Sequence, residues 1–236
     1  MTEKRKNEYL VGFEIECIID NRVFSEDQLD DVLREINPGI RQHEEGSIEF
    51  GDLPIDYDRD PNAEEYLYTT EIVTPPLTTT EAFEVLAKVF KVIHKAGYTN
   101  VTTGLHVNIS PVNKEWFKKM NYLYIAYHPI FREIAKAFDR EDNDFCTPND
   151  APDKASELWL DIITGNDAEN IYSGKDAAVN FDYITGGNFT AANAHIEVRA
   201  FGNAGYHRRL VEVRNYVIKV LEVFNKSMKV NFDYLK

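Results

Sequence analysis

Gly12-Phe13-Glu14-Ile15-Glu16-Cys17 is the stretch on which the reading of this chain turns. Two carboxylates alternate with apolar residues, and a strand turns successive side chains to opposite faces. Glu14 and Glu16 therefore share one face, about 7 Å apart at the usual strand rise. Phe13, Ile15 and Cys17 share the other, so Cys17 is expected in the core. The spacing of the two carboxylates suits a shared metal pair better than a single bidentate chelate.

Three more stretches repeat the design: Thr70-Glu71-Ile72-Val73-Thr74, Leu105-His106-Val107-Asn108-Ile109 and Ile196-Glu197-Val198-Arg199-Ala200. His106 and Asn108 fall on one face of their strand, and Glu197 and Arg199 on one face of theirs. If the four strands pair, one sheet surface carries an acidic cluster beside an arginine. Hard divalent cations take oxygen ligands, imidazole also ligates metal, and arginine grips phosphate. Each stretch alone has an ordinary reading: a solvated strand face, a hydrogen-bonded structural histidine, or a Glu197–Arg199 surface pair worth little. Four strands of one design favour a site for divalent metal and phosphate.

A chain of 236 residues with 43% hydrophobic and 12% aromatic content can bury a substantial core, and it is expected to form a single catalytic domain over residues 1–236. The net charge of -14 argues against direct nucleic-acid binding, which demands a basic surface. Cys17 and Cys146 imply no disulfide framework. Residues 1–8 hold no apolar signal core, and no stretch reaches the roughly 20 apolar residues that cross a bilayer. The expected location is the cytoplasm, with no membrane partner.

Residues 9–19 read as a strand. Ser25 and Gln28 form a capping-box pattern for a helix with Leu29, Val32, Leu33 and Ile36 on one face, ended by Pro38-Gly39. Residues 40–50 read as a short strand or hairpin broken at Glu45-Gly46-Ser47, residues 51–63 as a loop and 66–74 as a strand stopped by Pro75-Pro76. Thr79 or Thr80 is expected to cap the next helix, with Gly97 as its stop. Residues 101–110 predict a strand, 113–139 an aromatic-rich helix kinked at Pro129, 155–163 a short helix and 178–184 a short strand. Residues 194–201 are the last strand, and a helix from Tyr206 to Lys229 closes the chain. The fold class is α+β: a curved, mostly antiparallel sheet, helices on one face, the polar face open.

The ordered motifs resemble the amidoligase family, whose members are similar to glutamine synthetase and γ-glutamylcysteine ligase. They are Gly12 through Glu16, the turn Glu45-Gly46-Ser47, Glu71 through Pro76, Gly104 through Asn108, Lys175 through Asn180, and Glu197-Val198-Arg199. The chain departs in Glu45, where the family has Asp, in an insertion over 48–65, and after Arg199, where Glu-Gly-Thr is missing. The resemblance implies a glutamine-synthetase-like catalytic domain with ATP and Mg²⁺ (or Mn²⁺) on the concave sheet face. It implies metal coordination by Glu14, Glu16, Glu71, His106 and Glu197, with Arg199 holding the transferring phosphoryl group. Lys175 and Asn180 then belong with the cofactor.

Asn108 can position phosphate oxygen, and Arg208, in His207-Arg208-Arg209 at a helix start, can meet phosphate there. Arg140 with Asn143 is a weaker candidate. Glu45 is placed to take a proton from an attacking amine. The expected activity is an ATP-dependent carboxylate–amine ligase forming an amide through an acyl phosphate, its substrates a small-molecule or peptide carboxylate and an amine. The alternatives are a metal-dependent phosphodiesterase or other hydrolase, or an inactive scaffold or binding protein that keeps the fold. The aromatic stretch 113–139 leaves open whether it packs internally or against a second subunit.

Overall fold

The computed structural model describes residues 9–51, 53–54, 62–112, 124–141, 146–147, 176–181 and 194–228. The expected helix at 155–163, residues 113–123 of the expected aromatic-rich helix, residues 182–184 of the expected short strand, Asn143 and Lys175 lie outside them.

The alternation around Glu14 and Glu16 extends into a long strand, β1 (Tyr9–Asp20), at the heart of the sheet. The other elements are α1 (Glu26–Ile36), β2 (Arg41–Glu44), β3 (Leu67–Val73), β4 (Leu77–Thr78), α2 (Thr79–Ala96), β5 (Gly97–Tyr98), β6 (Gly104–Pro111), α3 (Ile130–Ala137), β7 (Val179–Asn180), β8 (Ile196–Gly202) and α4 (Leu210–Ser227). Among the described residues the strands form one eight-stranded sheet in the order β2-β3-β1-β6-β8-β7, with β4 and β5 also pairing β1. Every strand pair is antiparallel. The α+β class therefore holds.

Helix boundaries follow local chemistry. Ser25 caps α1 in a capping box with Gln28, as its spacing predicts. For α2 the cap is Thr78, one residue before the expected pair. Of the three consecutive threonines only Thr78 has a glutamate three residues on, so Thr78 and Glu81 close the box. Residues 124–126 are helical, but the chain breaks at 127–129 and Pro129 caps α3, so the expected kink is a full interruption. Proline has no N–H to continue the helix through that point. The closing helix begins with a 3₁₀ turn at Tyr206–Arg208 before α4.

The apolar face of β1 packs under the helices. Val11, Phe13, Ile15, Cys17 and Ile19 join Ile72, Leu105, Val107, Val198 and the buried faces of α1, α2, α3 and α4 in one cluster. Cys17 and Cys146 are both buried free thiols. The opposite face is polar along most of its length. At one end it carries Ile18, which packs with Ile48, Leu67 and Tyr98, so a second apolar cluster closes that end.

Two contacts tie β1 to neighbours where ladders end. β3 stops at Val73, and Thr74 continues the tie: its Oγ1 accepts from Phe13 N at 2.8 Å and its N–H donates to Phe13 O at 2.8 Å. Pairing with β6 stops at Ile15, and the Glu16 carbonyl instead accepts from the buried Tyr206 hydroxyl at 2.5 Å. Gly97 stops α2 and enters the sheet so closely that a Cβ there would lie 1.9 Å from Ile18 O. Gly97→Ala is expected to destabilise by about 1–3 kcal/mol, lowering Tm by about 2–4 °C per kcal/mol. Thermal denaturation checks this against Gly46→Ala, whose added methyl meets nothing within 4 Å and which should stay within about 0.5 kcal/mol of wild type.

Candidate active site

Sheet register gathers the polar positions. Glu16 lies opposite Glu71 across β1 and β3, and Glu14 opposite His106 across β1 and β6. Directly opposed residues project to the same face. Gly12 lies opposite Asn108, and Asn108 opposite Glu197. Asn180 lies opposite Glu197 on the far side. Between Val107–Val198 and Leu105–Phe201 the register shifts, so Arg199 and Ala200 together face His106. Alternation from Glu197 keeps Arg199 on the polar face, and the β-bulge then brings Phe201 into the core directly after Ala200.

His106 sits at the centre, 3% exposed. Its Nδ1 lies 3.2 Å from Glu14 Oε2 and 3.2 Å from Glu197 Oε1, and its Nε2 lies 3.6 Å from Glu16 Oε1. Burial opposes the imidazolium, but the Glu14 hydrogen bond and the charges of Glu16 and Glu197 outweigh burial and Arg199, and its pKa is raised. Arg199 Nη1 donates to Glu197 Oε1 at 2.7 Å and lies 3.5 Å from His106 Nδ1. With a proton on Nδ1 the latter approach is a contact between two donors, so the 2.7 Å pair is the one that anchors Arg199. Asn180 Nδ2 donates to Glu197 Oε2 at 2.8 Å, and Asn108 Nδ2 to Glu14 Oε1 at 2.7 Å.

The carboxylates differ in their surroundings. Burial would raise Glu14, but the hydrogen bond and charge of His106, the Asn108 amide and the charge of His195 hold it down at about 2. Glu71 is pushed the other way, to about 7: burial leads, the Glu14 charge follows with a smaller push from Glu16, and His106 and His43 only partly oppose them. Glu16 Oε2 accepts the Gly104 N–H at 2.5 Å. A Cβ on Gly104 would lie 2.8 Å from His106 Nε2 and 3.0 Å from Glu16 Oε2, so the absence of a side chain lets backbone and carboxylate meet.

Glu45 stands at the turn after β2, held by Ser47 N and Oγ at 2.9 and 2.6 Å. Burial would raise its pKa, but those two bonds and the charges of His43 and His106 lower it. It is an ionised group at the margin of the cluster. Arg208 is not brought there. It is exposed on the turn that packs against α2, in the helical layer, beside His207, which is buried and 3.0 Å from Thr99 Oγ1. The neighbouring Arg209 is occupied by Glu212 and the Ala137 carbonyl. Asn180 meets Glu197, so it supports a carboxylate where cofactor contact is expected.

The sequence reading passed over His43. Its Nε2 lies 2.6 Å from Glu71 Oε2, because β2 pairs with β3 in the register His43 opposite Glu71. β2 has no apolar alternation, and the only signal was a polar pair, Gln42-His43, just before the Glu45-Gly46-Ser47 turn.

A divalent cation fits this donor set. Oxygen or nitrogen atoms of Glu14, Glu71 and His106 lie within 4.8 Å of one another. Carboxylates and an imidazole suit Mg²⁺ or Mn²⁺. Four carboxylates, Glu14, Glu16, Glu71 and Glu197, gather beside one guanidinium, Arg199, and the imidazoles of His106, His43 and His195. Two of the buried polar atoms without a hydrogen-bond partner among the described residues, Asn108 Oδ1 and Arg199 Nε, belong to this cluster. Buried polar atoms of this kind are few in folded proteins, and a ligand that meets them explains them.

Such an acid-lined sheet face offers the donor types that divalent metal and charged oxygen groups take. The family described as "Putative amidoligase enzyme" matches residues 7–158, and the chain belongs to it. No curated protein matches. A solved structure titled "Crystal structure of novel glutamine synthase homolog" is similar over 93% of this chain and 56% of its own, at 11% identity and a TM-score of 0.38. This chain thus spans little more than half the length of that one. Glu197 and Arg199 lie beyond the matched segment and reach it through the β6–β8 pairing.

The opposed shifts predict a pH signature in metal-free protein. Glu14, depressed in the fold, contributes stability above its ordinary value of 4.5 that is lost as pH falls toward about 2. Glu71, raised, contributes stability below 4.5 that is lost as pH rises through about 7. In EDTA, Glu71→Gln should therefore raise Tm by several degrees relative to wild type at pH 8 and lose that advantage at pH 5. Parallel Tm–pH curves for the two proteins would show that Glu71 does not carry the alkaline loss.

Proposed function

We propose that this chain is an ATP- and Mg²⁺- (or Mn²⁺-) dependent carboxylate–amine ligase that forms an amide through an acyl phosphate. One observation carries the reading beyond family membership. The acidic cluster and an arginine with an unpartnered Nε share one sheet face. An arginine donor beside a metal site suits the oxygens of a transferring phosphoryl group.

Glu14, Glu16, Glu71, Glu197 and His106 would hold the metal. Bound there, the cation would neutralise phosphate charge and polarise the phosphoryl oxygens. Arg199 keeps its orientation through the 2.7 Å bond to Glu197 and offers its Nε–H to an equatorial oxygen of the γ-phosphoryl group. Fixed donors of this kind stabilise charge without reorganising during the step. Glu14, an acceptor, fixes the orientation of the Asn108 amide, whose Oδ1 then faces the ligand as an acceptor for an N–H or O–H. Transfer of the γ-phosphoryl group to the substrate carboxylate releases ADP. The amine then attacks the acyl carbon, phosphate leaves, and the amine's proton passes to ionised Glu45. No protein nucleophile is required.

Calorimetric titration of ATP into the protein, with Mg²⁺ and then with EDTA, tests the reading. Metal-dependent ATP binding is expected, reduced at least about 10-fold in Glu16→Gln while the circular-dichroism spectrum is unchanged. Folded wild-type protein that binds Mg²⁺ but no ATP would replace the ligase with a hydrolase. Binding of neither would leave a scaffold.

A further inference from the structure

We propose that Arg140 is a positioning residue for Glu16, acting through the peptide unit that joins Thr103 to Gly104. The inference rests on Glu16 being a metal ligand, as proposed above. That peptide has its N–H on Glu16 Oε2 at 2.5 Å. Its carbonyl, Thr103 O, accepts from Arg140 Nη1 at 3.0 Å and from Asn203 N at 2.9 Å. The guanidinium and the carboxylate thus bind opposite ends of one amide. A cation on the carbonyl oxygen draws electron density from the nitrogen, which makes the N–H a stronger donor, and hydrogen bonds in such a chain reinforce one another in a low-dielectric interior. The Glu16 carboxylate is held in a set direction, leaving Oε1 to face the cluster.

The surroundings of Arg140 support this assignment. It is 3% exposed, and among the described residues no carboxylate pairs with it. A buried guanidinium needs polar contacts to hold it, and those of Arg140 are specific. Nε donates to Cys146 Sγ at 3.3 Å, and Cys146 Sγ donates to Arg140 O at 3.2 Å, fixing the guanidinium from behind. In front, Gly202 has φ +139°, and a Cβ there would lie 2.1 Å from Arg140 Nη1 and 2.7 Å from Thr103 O. Gly202 leaves the passage through which the guanidinium reaches the carbonyl. Gly104, at the other end, leaves the passage for the carboxylate. Both openings serve the same three-membered chain, Arg140 to peptide to Glu16.

The test uses the full chain with Mn²⁺ alone as probe, measured well below Tm, together with the Gly104 amide proton shift by NMR without metal. Arg140→Met is expected to weaken Mn²⁺ binding about 10–100-fold, the range for losing a group that orients a ligand. It should also move the Gly104 amide proton upfield, as Glu16→Gln does. Arg140→Lys, which keeps the charge at shorter reach, should give an intermediate loss, and it remains the deciding variant if Arg140→Met does not fold. In Glu16→Gln, adding the Arg140 change should produce no further loss. Wild-type Mn²⁺ affinity and an unmoved Gly104 shift in an Arg140 variant, whatever its Tm, would overturn the relay. Wild-type affinity in Glu16→Gln would instead overturn the ligand reading of Glu16 and the relay with it.

Discussion

The antiparallel register of β1 between β3 and β6 is the constraint on which the rest depends. It sets Glu16 against Glu71 and Glu14 against His106, and it sets Ile15 against both Ile72 and Leu105. Side chains alternate with period two, so a slip of one residue would carry carboxylates into the core and isoleucines to the polar face. Hydrophobic burial under the helices therefore specifies the site geometry indirectly. The contacts that hold β1 past its ladder ends, Thr74 to Phe13 and Tyr206 to Glu16, resist slippage at either side of the acidic pair.

Gathering carboxylates opposes folding unless each finds a compensating group. Glu14 has His106 and Asn108, Glu197 has Arg199 and Asn180, and Glu16 has a backbone N–H. Glu71 is the poorly compensated member: it pairs with the half-exposed His43 and feels His106, but burial and the charges of Glu14 and Glu16 outweigh both, and its proton affinity rises accordingly. Uneven compensation of this sort is common at functional sites. The buried Arg140 fits the same logic at one remove, since its charge reaches the cluster through a peptide.

Much of the site was legible because alternation is a local property. Glu14, Glu16, Glu71, His106, Asn108, Glu197 and Arg199 each announced a face from its own neighbours, and the sheet brings all of them to one surface. His43 was not legible, because its strand is short, exposed and without apolar alternation. Asn180 was found, but its role was not, since cofactor contact and support of Glu197 look alike without the β7–β8 pairing. Arg208 failed for the opposite reason. A basic run at a helix start is a local signal, while the face on which the turn lies is a global one.

By itself, then, the sequence determined the period of the strands around Glu14, Glu71, His106 and Glu197, the capping box of α1, the α+β class and the residue types that share faces. These follow from backbone geometry and nearest-neighbour chemistry. Only the tertiary structure decided which strands are adjacent, that a bulge brings Phe201 into the core directly after Ala200, that one end of the polar face is closed by Ile18 and Tyr98, and that Arg140 reaches Glu16 through Thr103 and Gly104. Those outcomes depend on contacts between residues tens of positions apart, whose geometry is fixed by packing the whole core rather than by any local pattern.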